Sequence, residues 1–473
     1  MDFKTIFKSF KNKDMLKRVL IICGLLVVYR FMAHIPVPLG EPATFQEAIS
    51  NLISSTDFGS FLNLISGGGL TTFSILLVGI SPYITASIVV QLITKAVPRL
   101  EELSNDGETG RRKISQWTRV LAVPLAIVQS IAYIYMLYQS VMSTSGLSYT
   151  PTTADWVLSV AAMVAGSMIL MWFGELMTEQ GIGNGISMII FTSIISQLPT
   201  TMASLGSALF DTTTSAGSLS LFGWLNLPVN PVIFWVIIGF SLALLAVIYF
   251  LVKLNEAQRI ITINYAKRVH GNSSYGGIKS ILPLKLIAAG VVPVIFATAF
   301  LSLPALLGQV IQTINPGNSF GVTLSTLFTA PNANTFSSLY PNGITGQWFF
   351  YPALYFILVV LFTYFYTSII FNTKEIADNL QKQGGFIEGI RPGNQTAAYL
   401  GRTITRLNLF GALALGFIAM LPFATDYIFI ILTGAPLGLS ISGTGLLIIV
   451  TVALENLRQI NSRALMVTYD EYR

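Results

Sequence analysis

The distribution of positive charge constrains the fold of this chain most strongly. Every Lys and Arg except Arg30 falls in one of five segments, which are the N-terminal arm up to Arg18, 95–119, 253–285, 374–406 and 458–473. Three intervening stretches contain neither residue, namely 36–72, 139–154 and 310–348. Cytoplasmic loops of membrane proteins carry an excess of Lys and Arg. The alternation therefore predicts a multispanning membrane protein with both termini in the cytoplasm and an even number of spans.

Composition favours the same class of protein. Hydrophobic residues make up 53% of the chain and charged residues only 10%, whereas about a quarter of residues are charged in soluble domains. The net charge of +6 is explained by juxtamembrane loops facing anionic lipid, so a nucleic-acid partner is not predicted. Cys23 is the only cysteine, which excludes an intrachain disulfide and a thiolate metal site.

Ten apolar segments approach the roughly 20 residues that a transmembrane helix needs. They are 16–35, 73–94, 116–138, 155–174, 185–205, 229–252, 286–309, 350–371, 403–423 and 440–458. Five spans in each half would invert the second half relative to the first, as in proteins with a pathway between two repeats. We predict an all-α polytopic membrane protein with ten transmembrane helices in two inverted five-helix halves around a central pore. The halves comprise residues 1–205 and 206–473, and the second contains cytoplasmic loops 253–285 and 372–402.

Two segments differ from ordinary lipid-facing helices. Residues 60–70 are apolar, too short to cross and end in three glycines, so we expect a short helix on a flexible hinge. It lies either at the outer surface or between spans. The second span contains Pro82 and several polar residues, while Ile80 and Ile84 share one helical face. A polar helix with an apolar belt suits a water-filled pathway with a dry constriction, although ordinary helix packing also explains these residues.

Motifs for catalysis are missing from the sequence. His34 and His270 are predicted on opposite sides of the membrane, which disfavours a histidine metal site or an acyl-transfer triad. No phosphate-binding GxxxxGK[ST] motif occurs, so ATP hydrolysis by this chain is not expected. Glu175 and Glu179 are interpreted as exposed charges at the end of the fourth span. We predict a protein that is not an enzyme and has no cofactor.

Several short motifs occur in a fixed order along the chain: 67–70 (GGGL), 79–88 (GISPYITASI), 107–116 (GETGRRKISQ), 181–187 (GIGNGIS), 264–268 (NYAKR), 282–285 (LPLK) and 389–393 (GIRPG). Together they resemble the SecY family, which forms the main channel subunit of the bacterial Sec protein translocase. The resemblance runs from about residue 16 to 463. It implies a channel that moves unfolded secretory polypeptides across the bacterial inner membrane and releases transmembrane segments laterally into lipid.

The resemblance also implies roles for individual residues. The plug that closes the external funnel would contain Phe61, Leu62, Leu64, Ile65, Ser66, Gly67, Gly68 and Gly69. The pore ring would consist of Ile80, Ile84, Ile190, Ile295, Ala299 and Ile448. The lateral gate between the second and seventh spans would include Ser81, Thr85, Gln91 and Thr298.

Partners follow from the same resemblance. The small membrane subunits SecE and SecG would accompany the chain, and the SecA motor ATPase or the ribosome would dock on the cytoplasmic loops. The docking residues would be Arg259, Lys267, Arg268 and Arg391. Secretory preproteins with signal sequences and membrane lipid are the remaining expected partners. Family members often carry a basic pair after the glycine at the loop tip, whereas this chain has Asn272 and Ser273 after Gly271.

Two other classes of function are partly compatible with the sequence. A secondary transporter for a small solute also fits an inverted repeat with broken helices, but it requires a midplane site with convergent polar groups. The apolar belt disfavours such a site. An intramembrane enzyme would need a buried nucleophile beside a base, and the sequence indicates no such pair.

Overall fold

Helices dominate the part of the chain that the structure describes. The computed structural model describes residues 13–38, 72–145, 152–210, 219–221, 225–227, 231–265, 268–270, 273–275, 279–287, 290–315, 317–329, 347–433 and 443–471. Its helices are α1 (Lys13–Met32), α2 (Ser81–Ala96), α3 (Pro98–Asn105), α4 (Gly107–Ser145), α5 (Thr153–Glu179), α6 (Gly185–Ile195), α7 (Leu198–Phe210), α8 (Pro231–Glu256), α9 (Val292–Ile314), α10 (Ser319–Phe328), α11 (Gln347–Ile370), α12 (Thr373–Lys382), α13 (Asn394–Thr433) and α14 (Gly443–Glu471). Its strands are β1 (Leu219–Leu221), β2 (Leu225–Leu227), β3 (Gln258–Tyr265), β4 (Arg268–His270), β5 (Ser273–Tyr275), β6 (Lys279–Lys285) and β7 (Gly385–Phe386).

Six helical stretches in the described part are long and apolar enough to cross a membrane. They are Gly107–Tyr135, Thr153–Glu179, Ile237–Glu256, Val292–Gln312, Phe349–Lys382 and Asn394–Leu421. These stretches overlap the predicted third, fourth, sixth, seventh, eighth and ninth spans. The membrane class is therefore confirmed, while the total of ten spans and their division into two halves stay predictions.

Polar side chains define where several helices begin. Thr152 accepts a hydrogen bond from the backbone of Asp155, whose carboxylate accepts one from the Thr152 backbone, so a capping box starts α5. Asn184 caps α6 by accepting from the Ile186 backbone at 3.0 Å. Such caps satisfy N–H groups that have no partner inside the helix.

The second and fifth predicted spans are not continuous helices. Residues 72–80 form turns, and α2 begins only at Ser81. Pro82 of the predicted second span therefore lies in the first turn of α2, which does not need the N–H that proline lacks. The fifth span divides into α6 and α7, and Pro199 stands in the first turn of α7 for the same reason.

One large apolar core joins most of the helices. We call it the central cluster, and its buried residues come from α1, α2, α5, α6, α8, α9, α11, α13 and α14, together with the turns before α2 and α9. A smaller core lies between α4, α5 and segment 72–80, and Leu306 of α9 completes it. The helices of both ends of the sequence therefore pack around one interior.

A small sheet links the two predicted cytoplasmic loops. Strands β3 and β6 form an antiparallel hairpin from loop 253–285, and β7 from loop 372–402 pairs with β3 to give the order β6-β3-β7. Ile261 and Leu284 of the hairpin share an apolar core with Ile387 and Leu400 of the other loop. The two loops thus form one structural unit at their base.

Candidate functional site

All six residues predicted for the pore ring are buried and belong to the central cluster. Their exposed fractions range from 1% for Ile80 to 8% for Ile295 and Ala299. The other members are Ile84, Ile190 and Ile448. The structure therefore brings residues from α2, α6, α9 and α14, and from the turn before α2, into one apolar interior.

The α2 contribution starts at the residue just before the helix. The backbone N–H of Ile84 donates to the Ile80 carbonyl at 3.1 Å, so the two side chains are stacked one turn apart on the same face. Ile88 continues this face and is also buried in the central cluster. Ile88 was not among the predicted ring residues, although its i,i+4 spacing from Ile84 is the signal that identifies it.

The turns before α2 are held against α5 by close contacts. The Ser167 hydroxyl donates to the Gly79 carbonyl at 2.9 Å. A Cβ on Gly166 would lie 2.4 Å from the Ile75 carbonyl oxygen, so only glycine permits this approach. These two contacts fix the position of Ile80, which follows directly after Gly79.

Aromatic packing orients α9. The Phe296 ring makes edge-on contacts with Phe362 and Tyr366 of α11, with ring centroids 6.1 Å and 5.9 Å away. Edge-to-face pairs at such distances are favourable. Since Phe296 packs towards α11, its neighbour Ile295 and the next turn at Ala299 are held in a defined orientation within the central cluster.

The glycine motif at 181–187 packs α6 closely against two other helices. A Cβ on Gly185 would lie 2.0 Å from the Gly174 carbonyl oxygen of α5. A Cβ on Gly183 would lie 2.1 Å from Oδ1 of Asn456 in α14. The motif therefore fixes the start of α6 between α5 and α14, the two helices that flank it, and so positions Ile190.

The predicted gate residues lie on two helices that pack together, α2 and α9. Thr85 is buried, and its hydroxyl has no hydrogen-bond partner in the described part of the chain. Gln91 donates to the Ser87 hydroxyl at 2.9 Å, and Thr298 donates to the Ile295 carbonyl at 2.8 Å. These two bonds each stay within one helix. Ser81 is half-buried at the start of α2.

Glu175, predicted to be an exposed charge at the end of the fourth span, is half-buried and paired, whereas Glu179 is exposed as predicted. Nε of Arg119 donates to Oε1 of Glu175 at 2.7 Å, and the Glu175 side chain is only 20% exposed. Sequence spacing within α5 did not reveal this partner on α4. The ion pair therefore connects α4 and α5 at Arg119 and Glu175.

Two of the predicted docking residues are exposed on the structural unit that the two loops form. Arg259 lies in β3 opposite Leu284, and Arg391 lies in a turn between Gly389 and Gly393, whose φ angles of 80° and 94° favour glycine. Arg268 belongs to β4, while Lys267 lies outside the described residues.

Lys285, the last residue of β6 in this unit, has a shifted pKa. Partial burial lowers the pKa of Lys285 below its ordinary value of 10.5, and the nearby Arg458 lowers it further, while Glu455 raises it. Arg458 also donates to the Asn255 carbonyl at 2.9 Å and so ties α14 to the end of α8.

The predicted plug cannot be placed. Phe61, Leu62, Leu64, Ile65, Ser66, Gly67, Gly68 and Gly69 all lie outside the described residues. Within the described part, no group of three or more His, Cys, Asp or Glu side chains is arranged to hold a metal ion.

Comparisons with known proteins identify the family. The family model described as SecY matches residues 74–457. The chain is 35% identical over 474 residues to a protein translocase subunit SecY of Streptomyces scabiei, with 98% of each chain covered.

Two solved structures share the fold. One is a protein-conducting channel, with a TM-score of 0.61, 17% identity, and coverage of 93% of this chain and 90% of that one. The other is Sec61 in a canine ribosome-channel complex from the endoplasmic reticulum, with a TM-score of 0.54, 17% identity and the same coverage. The chain belongs to the SecY family.

Proposed function

We propose that the protein is the channel through which unfolded secretory polypeptides cross the membrane and from which apolar segments pass sideways into lipid. The observation that carries the proposal is the burial of six separated apolar residues in one cluster of a SecY-family chain. A similar chain is named a protein translocase subunit, and a solved chain of the same fold is a protein-conducting channel.

The six residues serve as the pore ring. Branched apolar side chains in a narrow collar exclude water, so hydrated ions cross poorly. The side chains come from several helices, so the collar widens around an extended polypeptide of any sequence when those helices move apart. A chain that must pass many different substrates needs such a collar and no polar binding pocket.

Helices α2 and α9 serve as the lateral gate. Contact between α2 and α9 supports this role. Thr85 of α2 is buried and its hydroxyl has no hydrogen-bond partner among the described residues, which costs about 1–3 kcal/mol. On separation of α2 from α9, an apolar signal segment would enter lipid, at a gain of about 25 cal/mol per Å² of apolar area removed from water.

The sheet β6-β3-β7 and the loops around it serve as the docking surface. Arg259 and Arg391 are exposed there, and Lys267 and Arg268 belong to the same loops. Clustered cations steer acidic protein or RNA partners towards a surface. The occupants are the SecA motor ATPase, which supplies energy, and the ribosome. The canine Sec61 of the same fold was solved in a ribosome-channel complex.

The remaining assignments concern the whole assembly. SecE and SecG accompany the chain in the bacterial inner membrane, both termini face the cytoplasm, and ten spans form two inverted halves around the pore. The segment around 60–70 closes the external side as a plug, and its glycines act as the hinge. Gly68→Pro should then slow plug release and reduce preprotein export in vesicles, and export at the normal rate would refute the hinge.

Ion conductance tests the proposed ring. Ile84→Ser and Ile190→Ser replace ring side chains by small polar ones, whereas Ile357→Ser alters a residue of α11 that is 56% exposed. We expect the two ring variants to raise the ion conductance of planar bilayers that contain the protein, while Ile357→Ser leaves it unchanged. Equal conductance of all variants would contradict the ring.

The solute-transporter alternative finds no support in the family assignment. It also predicts convergent polar groups at the midplane, whereas the ring positions are entirely apolar. The alternative would be supported if vesicles containing the protein took up a small solute and this uptake competed with preprotein transport.

A further inference from the structure

An apolar groove separate from the pore lies between α2, α3 and α4. Its volume is about 480 Å³, within the range of pockets that hold a small ligand. Val90 and Ile93 of α2 form one wall, Leu103 of α3 closes one end, and Trp117 and Val120 of α4 form the other wall. We propose that this groove binds one acyl chain of a membrane phospholipid.

The groove is built by local contacts and is not a chance gap. A Cβ on Gly110 would lie 1.7 Å from the Leu103 carbonyl oxygen, so glycine lets α3 fold tightly against the start of α4. Nζ of Lys95 is 2.7 Å from Oε1 of Glu101, which ties the end of α2 to α3. The family motif at 107–116, which contains Gly110, therefore positions the α3 end of the groove.

The chemistry of the lining selects a hydrocarbon occupant. Thr94 and the indole N–H of Trp117 are the polar side-chain groups among the lining residues. Thr94 is buried and its hydroxyl donates its one hydrogen to the Val90 carbonyl at 2.7 Å, which leaves the Trp117 indole as the remaining side-chain donor of the lining. A polar solute would therefore replace little of its lost hydration, whereas an acyl chain has no hydration to replace.

The position and size of the groove select a lipid tail over a helix of another protein. Ile93, Trp117 and Val120 are 44%, 56% and 72% exposed, so the groove opens on the lipid-facing surface of a membrane protein. A ten-residue helix about 10 Å wide and 15 Å long occupies roughly 1,200 Å³, more than twice the groove volume. A single extended chain fits the available space.

Tryptophan quenching by brominated lipid tests the proposal. The chain has six tryptophans, and two single-tryptophan proteins would be made by changing the other five to Phe. One retains Trp117 in the groove, and the control retains Trp172 of α5, which is also 56% exposed but outside the groove. Because Arg119 pairs with Glu175, the two indoles lie within about 8 Å of each other in depth. Bromine is placed at two positions along the acyl chain to cover both depths.

Retention of the lipid distinguishes a bound chain from ordinary boundary lipid. Each protein is reconstituted in brominated phosphatidylcholine vesicles and then exchanged into lipid-free detergent. We expect the quenching that remains at Trp117 to be at least twice that at Trp172. Equal recovery at both tryptophans would overturn the proposal.

A variant that obstructs the groove provides a second measurement on folded protein. Ile93→Trp combined with Val120→Trp places two indoles across the groove, and Ile127→Trp combined with Val128→Trp adds the same bulk on the exposed side of α4 outside it. Native mass spectrometry of the full chain should show one retained phospholipid in the wild type and in the control pair, and its loss in the groove pair. Retention in the groove pair would place the lipid elsewhere and refute the site.

Discussion

Replacement of Gly185 by alanine tests the close packing that positions the ring residue Ile190. The new Cβ would lie 2.0 Å from the Gly174 carbonyl oxygen, whereas ordinary contact begins at 3.4 Å. Helices α5 and α6 must therefore separate by about 1.4 Å along this line. The obstacle is backbone, so no side-chain rotation can relieve it. Overpacking of this kind costs about 1–3 kcal/mol.

Thermal unfolding of the purified protein in detergent measures this cost. At about 2 °C per kcal/mol, the lower end for large domains, Gly185→Ala should lower Tm by about 2–6 °C. Gly239→Ala in α8 is the matched control, because nothing lies within 4 Å of its added Cβ. Alanine is the better helix former by about 1 kcal/mol, so the control should hold or raise Tm. Equal Tm values for wild type and Gly185→Ala would refute the packing argument.

Two further predictions concern charged groups. A double-mutant cycle with Arg119→Met and Glu175→Gln should give a coupling free energy of up to about 1 kcal/mol that weakens with salt, and additive effects would refute the ion pair. Arg458→Gln should raise the pKa of Lys285 towards 10.5, as read from the NMR titration of methylated lysine, because a repelling charge is removed. Since this lowered pKa leaves fewer protons on the folded protein, the free energy of unfolding should rise with pH through the window below 10.5. A wild-type pKa at or above 10.5 would contradict both statements.

The sequence was sufficient for the membrane class and for the composition of the apolar interior. Charge alternation and apolar length are properties of the chain itself, since lipid enforces them on every span. Ile80 and Ile84 were identified by spacing along one face, and their role by family resemblance. The burial of all six ring candidates in one cluster, including Ile190 and Ile448, depends on which helices pack together. Spacing within a single helix does not reveal this.

The structural features that the sequence did not predict arise from contacts between distant segments. Glu175 was predicted as an exposed helix-end charge because its partner Arg119 lies on another helix, 56 residues away. The start of α2 at Ser81 depends on the turns at 72–80 packing against Gly166. The pairing of β7 with β3 joins loops more than 100 residues apart. A strand of two residues is too short to show the alternating pattern from which a strand is predicted.

Site-specific cross-linking to a stalled preprotein tests the central claim most directly. Single cysteines would be introduced by Ile84→Cys or Ile295→Cys in a Cys23→Ser background, in membranes supplied with SecA and ATP. A cysteine at Arg259 reports whether the preprotein is engaged at all. The account predicts cross-links from both ring positions to the middle of the translocating chain. Engagement reported from Arg259→Cys with no cross-link from either ring position would contradict the channel through this cluster.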